Sequence, residues 1–134
     1  MAKELYTRGQ LEREISQKIQ AFYRFHLEHQ PSKVISQLFD TKLAIIIEDS
    51  MTSAEQILVE KGQNELAKKV RLNIHNAIEP ELKKLIEKVA GVEVLDMLSD
   101  ATLETRRTGI IIILNQTPKI REPLNVQKIR KKLL

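Results

Sequence analysis

Four charged residues are the strongest candidates for a functional cluster: Asp49, Glu55, Arg71 and Asp100. Asp49 and Asp100 lie at the ends of predicted strands, and Arg71 falls in the middle of a predicted helix. An arginine between carboxylates can bind an anion or organise a pocket. The same grouping is more often a structural ion pair. We expect the structural pair, and the anion site or pocket is the alternative.

Catalytic signatures are missing from the sequence. It contains no cysteine, no Ser-His-Asp order, no glycine-rich phosphate loop and no metal-binding repeat. His26 and His29 are three residues apart and can share a helix face, but a metal site needs more ligands than two. We therefore predict a protein that is not an enzyme, with no catalytic residue, no metal and no cofactor.

Positive charge is concentrated at the C-terminus. The whole chain has a net charge of +4, and residues 116–134 alone carry +5, which leaves −1 for residues 1–115. The tail can form a short basic amphipathic helix that contacts an anionic membrane surface, nucleic acid or a partner protein, or it can be a solvated disordered tail. Nucleic acid is the weakest option because the body adds no basic patch or stacking aromatic residues. The predicted contact residues of the tail are Lys128, Arg130, Lys131 and Lys132.

Capping signals predict where the helices begin. Thr7 to Gln10 has capping-box spacing before an amphipathic helix of about five turns. Pro31 should end that helix, since the residue before proline resists helical geometry. Thr52 and Glu55 have the same spacing before a long helix over about residues 53–78.

Three further residues complete the helical prediction. Gly62 falls on the buried stripe of the long helix, where we expect close packing against another backbone. Pro80 is expected to begin a third helix. Gly91 is placed as its C-terminal cap.

Four apolar segments predict strands, over residues 32–39, 42–48, 92–98 and 103–114. Turns are expected at 40–41 and 99–102, and Gly109 is read as a bulge. The predicted fold is an α+β two-layer α/β sandwich of order αββααββ, with a four-stranded, mainly antiparallel sheet. Residues 1–115 form the single domain, and residues 116–134 form the basic tail.

Two strands are apolar on both faces, at Leu43–Ile47 and Ile110–Leu114. A two-layer fold covers only one face of its sheet, so the first helix or a second subunit must cover the other. Contiguous exposed apolar surface is unusual for a monomer. We therefore predict a homodimer or a higher oligomer.

With its elements in this order, the chain resembles the MpsC-like family, named after a component of a bacterial sodium-translocating, membrane-potential-generating system. The resemblance covers about residues 7–114, and it departs from the family at His29-Gln30, where glycines are usual. It implies an accessory protein near ion or inorganic-carbon uptake machinery. The residues that carry it are Thr7-Arg8-Gly9-Gln10-Leu11-Glu12, Pro31, Thr52-x-x-Glu55, Gly62, Arg71, Gly91-Val92 and Ser99-Asp100.

Together, the resemblance and the missing catalytic chemistry predict a non-enzymatic interaction or regulatory protein with a protein partner in a membrane system. The lack of cysteine fits the cytoplasm, where the protein would be free or peripheral to the membrane. No apolar run is long enough for a transmembrane segment. The alternative is a small-anion or nucleic-acid-binding regulator that uses the Arg71 cluster or the tail.

Overall fold

The structure is a computed structural model that describes residues 5–121. Its three helices and four strands follow the predicted order αββααββ, in a mixed α+β fold whose sheet is entirely antiparallel. The fold class is therefore confirmed. The elements are α1 (Arg8–Leu27), β1 (Lys33–Phe39), β2 (Lys42–Glu48), α2 (Ser53–Glu60), α3 (Asn64–Ala90), β3 (Val94–Thr102) and β4 (Arg107–Leu114).

The sheet has the strand order β1-β2-β4-β3, so β2 and β4 are central. One face, called here the inner face, packs against α1 and α3 and forms one hydrophobic core. The opposite, outer face is covered by no helix of residues 5–121. The sheet residues buried on the inner face include Leu38, Leu43, Ile45, Ile47, Ile110 and Ile112.

Helix α1 begins as its capping box predicts and lies along the edge strand β1. The Thr7 side chain accepts from the backbone N–H of Gln10, and the Gln10 side chain accepts from the N–H of Thr7. Farther along, the Glu12 carboxylate accepts a 2.7 Å hydrogen bond from the backbone N–H of Leu38. The helix thus satisfies part of the hydrogen-bonding edge of the sheet.

The long helix predicted over residues 53–78 is two helices, and this corrects the role assigned to Gly62. Helix α2 ends at Glu60, and Gly62 has φ +76°, a left-handed conformation that glycine adopts without a Cβ penalty. Gly62 is exposed, and a Cβ built on it would meet nothing within 4 Å. The prediction of a packing contact there was wrong: the glycine ends a helix.

Pro80 does not begin a helix, contrary to prediction, because α3 continues through it. Proline inside a helix removes one backbone hydrogen bond and costs about 3 kcal/mol. The buried positions Ile78, Leu82 and Ile86 are spaced four residues apart across the proline. Burial of this continuous stripe offsets the cost. Gly91 caps α3 with φ +71°, as predicted.

The second hairpin is shifted from its prediction. Residues 99–102, expected to form a turn, are the last part of β3, and the turn lies at 103–106. Gly109 pairs regularly with Ile46 and Asp100. The irregularity lies instead on β3, between Val94 and Asp96. The turn was misplaced because Ser99, Asp100 and Thr102 are residue types that are common in turns, although here they lie on an edge strand.

After β4 the described chain returns across the end of the domain. Pro118 is buried, and Ile120 packs against the core. The N–H of Arg121 donates to the carbonyl of Tyr6 at 2.7 Å. The start of the predicted tail therefore contacts the domain. Within residues 5–121, none of the helices has the length and apolarity needed to cross a membrane.

Candidate functional site

Arg71 and Glu55 form a buried, two-pronged ion pair between α3 and α2. The Arg71 Nε donates to Glu55 Oε2, and its Nη2 donates to Glu55 Oε1, each at 2.7 Å. Nη2 also donates to the carbonyl of Ser50 at 2.8 Å. Glu55 is 0% exposed and Arg71 is 8% exposed. Two members of the predicted cluster thus meet directly.

Both oxygens of the Glu55 carboxylate are occupied. Besides Arg71, Oε1 accepts from the Thr52 backbone N–H at 3.1 Å and from the Thr52 hydroxyl at 2.9 Å. The predicted capping box is therefore confirmed, and its acid also neutralises the arginine. A guanidinium that is already bonded to a buried carboxylate is a poor site for a free anion. The arrangement favours a structural pair.

A set of buried hydroxyl groups continues from this ion pair toward the sheet. Ser50 and Thr108 share a hydrogen bond of 2.7 Å between their hydroxyl oxygens. The Tyr23 hydroxyl, from α1, has Arg71 and Thr108 as hydrogen-bonding neighbours. Burial raises the pKa of Tyr23 above its ordinary value of 10.0, and the positive charge of Arg71 opposes that shift only in part. Tyr23 therefore remains neutral at physiological pH.

Asp49 and Asp100 are placed apart from the ion pair. Asp49 has a left-handed backbone at the end of β2, and its carbonyl contacts His29 Nε2. Asp100 is exposed on β3, where its carboxylate accepts from the N–H of Ala101 at 2.8 Å. It borders a groove of about 680 Å³ between α3 and the β3–β4 hairpin, and Arg71 lines the same groove. The structure therefore joins Glu55 to Arg71 and leaves the two aspartates at the periphery.

The histidines contact other groups. His26 lies against the rings of Phe22 and Phe25, at centroid distances of 4.2 and 5.0 Å. His75 Nε2 is 3.2 Å from the Glu79 carboxylate, one turn along α3. Among residues 5–121, no group of three or more His, Cys, Asp or Glu side chains is arranged to hold a metal ion.

Sequence reasoning missed the buried hydroxyl groups of Tyr23, Ser50 and Thr108. One signal was present for Tyr23, which stands four residues after Ile19 on the buried stripe of α1. A tyrosine at a core position needs a partner for its hydroxyl group. No comparable signal identifies Ser50 and Thr108, because they meet only when β2 pairs with β4. The predicted tail contacts Lys128, Arg130, Lys131 and Lys132 lie outside the described residues.

Comparison with known proteins gives one family. The chain matches the family model described as "Na+-translocating membrane potential-generating system (MpsC)" over residues 7–116. Neither the curated proteins nor the solved structures provide a match. The matched range contains all seven helices and strands found within residues 5–121, and with them the Glu55–Arg71 ion pair. Because this range is most of the chain, the protein belongs to the MpsC family.

Proposed function

We propose that the protein is a non-enzymatic accessory protein of a membrane-linked ion-translocating system, and that it works there as a homo-oligomer, most simply a dimer. Membership of the MpsC family supports the link to the membrane system. The apolar outer face of the sheet is the main support for a protein interface. The occupied Glu55 and Arg71 side chains support a role without catalysis.

The outer face is more apolar than an ordinary solvated sheet face. Antiparallel sheets that are half exposed normally alternate apolar residues inward with polar residues outward. Here the strand register brings large apolar side chains together in neighbouring strands on the outer side. Such contiguous surface is typical of an interaction site. Its exposed members are Ile35, Phe39, Ile46, Leu98 and Ile111.

The charges around this surface favour a second copy as its partner. The register places three basic and three acidic residues on the outer face, so two copies would meet without net repulsion. A purely anionic surface, such as a phospholipid membrane, would meet as many acidic as basic groups. The charged residues are Lys33, Lys42 and Arg107 with Glu48, Asp96 and Asp100.

The size of the outer face is also sufficient for a dimer. Strands about 4.8 Å apart that rise about 3.3 Å per residue give a four-stranded face of roughly 19 by 23 Å. Two such faces bury on the order of 1,000 Å², which is about the lower bound for a specific interface. The expected dimer is therefore reversible and concentration-dependent.

A matched pair of isoleucine variants tests the interface. Light scattering at micromolar concentration should give a dimeric mass for the parent and a monomeric mass for Ile46→Lys, because Ile46 lies on the central strand β2 of the outer face. Ile57→Lys is the control, since Ile57 is exposed on α2, away from the sheet. A monomeric parent, or equal dissociation by both variants, would contradict the proposed dimer.

Affinity capture from native membranes tests the accessory role. The parent protein should recover subunits of an ion-transport system, identified by mass spectrometry. Recovery of nucleic acid or of a small anion would instead support the alternative regulator. That alternative is less favoured for the Arg71 cluster, because the Arg71 charge is neutralised by Glu55.

A further inference from the structure

The groove between α3 and the β3–β4 hairpin forms where two elements extend past the core. In the first half of α3 only Ala67 and Arg71 are buried, while Leu72 is 59% exposed. The hairpin runs beside it, because β3 continues to Thr102. The volume of about 680 Å³ is that of an ordinary small-molecule site.

Small side chains on the sheet keep the groove open. Ser99 and Ala101 pair with Ile110 and Thr108, so they belong to the inner face and point toward α3. Leucine or phenylalanine at these positions would fill the space beneath the helix, as the larger residues do elsewhere on that face. The opening therefore depends on two specific positions of β3.

The groove has apolar walls and a polar floor. Leu72, Ile78 and Leu82 of α3 line one side, and Ile110 of β4 contributes to the other. At the floor lie Tyr23 and Thr108, which are 2% and 4% exposed. Tyr23 stays neutral because burial raises its pKa. The floor thus offers hydroxyl groups, which donate or accept hydrogen bonds, at the end of an apolar channel.

The charges around the groove disfavour an anion. Arg71 is already neutralised by Glu55, at 2.7 Å. Lys68, at the mouth, lies 3.6 Å from the Glu65 carboxylate. Glu104, in the turn between β3 and β4, borders the opposite wall. An anionic ligand would therefore find no uncompensated buried cation among these residues and would approach the Glu104 carboxylate.

We propose that this groove binds a small uncharged amphipathic molecule. Its apolar body lies between α3 and β4, and one hydrogen-bonding group reaches the hydroxyl groups of Tyr23 and Thr108. The inference goes beyond the proposed accessory function and gives the protein a ligand site on the side of the sheet opposite the proposed dimer interface. Ligand binding and dimer formation can therefore be tested separately.

A pair of fluorescent dyes probes the charge preference. N-phenylnaphthylamine is uncharged and carries one N–H donor, and anilinonaphthalene sulfonate has the same aromatic rings with an added negative charge. Titration of the full chain should show saturable binding of one uncharged dye per protomer, with the sulfonated dye at least about tenfold weaker. Equal or tighter binding of the sulfonated dye would overturn the proposed ligand class.

Two substitutions on the same strand locate the bound dye. Ala101→Phe fills the groove and should weaken binding of the uncharged dye by about tenfold or more. Leu98→Phe adds the same ring on the outer face and should leave binding unchanged, because Leu98 does not line the groove. Thermal denaturation of both variants checks that they fold.

A third variant tests whether the hydroxyl groups at the floor of the groove contribute to binding. Tyr23→Phe removes one hydroxyl group and keeps the ring. It should weaken binding of the uncharged dye by about threefold or more. Dye binding that is absent in the parent, or unchanged in both Ala101→Phe and Tyr23→Phe, would overturn the groove as the site. Ile46→Lys should retain dye binding even when it is monomeric, so failure of the dimer and failure of the ligand site remain distinguishable.

Discussion

Two glutamate–arginine pairs in this protein have nearly the same contact distances in different surroundings. Arg71 binds Glu55 at 2.7 Å, with side chains 10% and 0% exposed. Arg107 binds both oxygens of Glu48 at 2.8 Å, with side chains 51% and 30% exposed. Solvent screens the second pair, whereas the first has only protein groups to replace its lost hydration. Contact distance alone therefore does not rank their importance.

Among the substitutions that test this comparison, Arg71→Met is expected to lower the free energy of unfolding the most. It should destabilise the folded protein by about 3–5 kcal/mol, because it leaves the Glu55 carboxylate buried without its counter-charge. Urea unfolding followed by circular dichroism measures the loss.

The double variant Arg71→Met with Glu55→Gln isolates the cause of that loss. Glutamine keeps the spacing of the capping box and removes the charge, so the double variant should be more stable than Arg71→Met alone. A double variant that is as unstable as the single variant would show that lost packing, rather than an unpaired charge, dominates.

Tyr23→Phe should lower the free energy of unfolding by about 1 kcal/mol at neutral pH, since it removes a hydroxyl group that lies beside the buried ion pair. Burial raises the folded-state pKa of Tyr23, so the neutral form favours folding. That contribution is complete below pH 10.0 and is lost as the pH rises from there through the folded-state pKa. Unfolding free energies of parent and variant, measured between neutral and alkaline pH, should therefore converge above pH 10.0. A stability difference between parent and variant that does not depend on pH would contradict the raised pKa of Tyr23.

Arg107→Met should have the smallest effect, below about 1 kcal/mol, because exposed pairs contribute little after screening and side-chain ordering. It is the control for Arg71→Met, because both variants remove an arginine that contacts both oxygens of a glutamate carboxylate. The same urea unfolding experiment applies, repeated at high salt, where the already small loss should shrink further. A loss of stability as large as that of Arg71→Met would show that burial does not decide how much each ion pair contributes.

The sequence predicted best where neighbouring residues decide the structure. Both capping boxes, at Thr7 and Thr52, and the Gly91 cap depend on groups within about one helical turn. The bounds of strand β2 were also predicted correctly, because the turn at Asp40 and Thr41 fixes where the strand begins. These local signals were sufficient for the order of the elements and the fold class.

The errors arose where two local signals compete. Gly62 continues the apolar spacing of a helix, and spacing does not reveal a positive φ. Pro80 signals a helix start, and only tertiary burial of Ile78 and Leu82 explains why α3 continues. In the candidate site, Glu55 and Arg71 were identified, but the contribution of Tyr23 requires knowing that α1 packs beside α3. Long-range contacts of this kind leave little trace in one sequence.

The contact between Glu12 and the edge of β1 has a consequence for assembly. Strand-by-strand growth into a filament needs two free edges, one on each side of every subunit. Here α1 lies along β1, and Glu12 accepts from the Leu38 N–H. The other edge strand, β3, has a comparable contact, because the Val94 N–H donates to the Glu87 carboxylate of α3 at 2.9 Å. Each edge strand of the sheet therefore has a backbone N–H already bonded to a helix carboxylate, and this opposes open-ended growth by strand pairing.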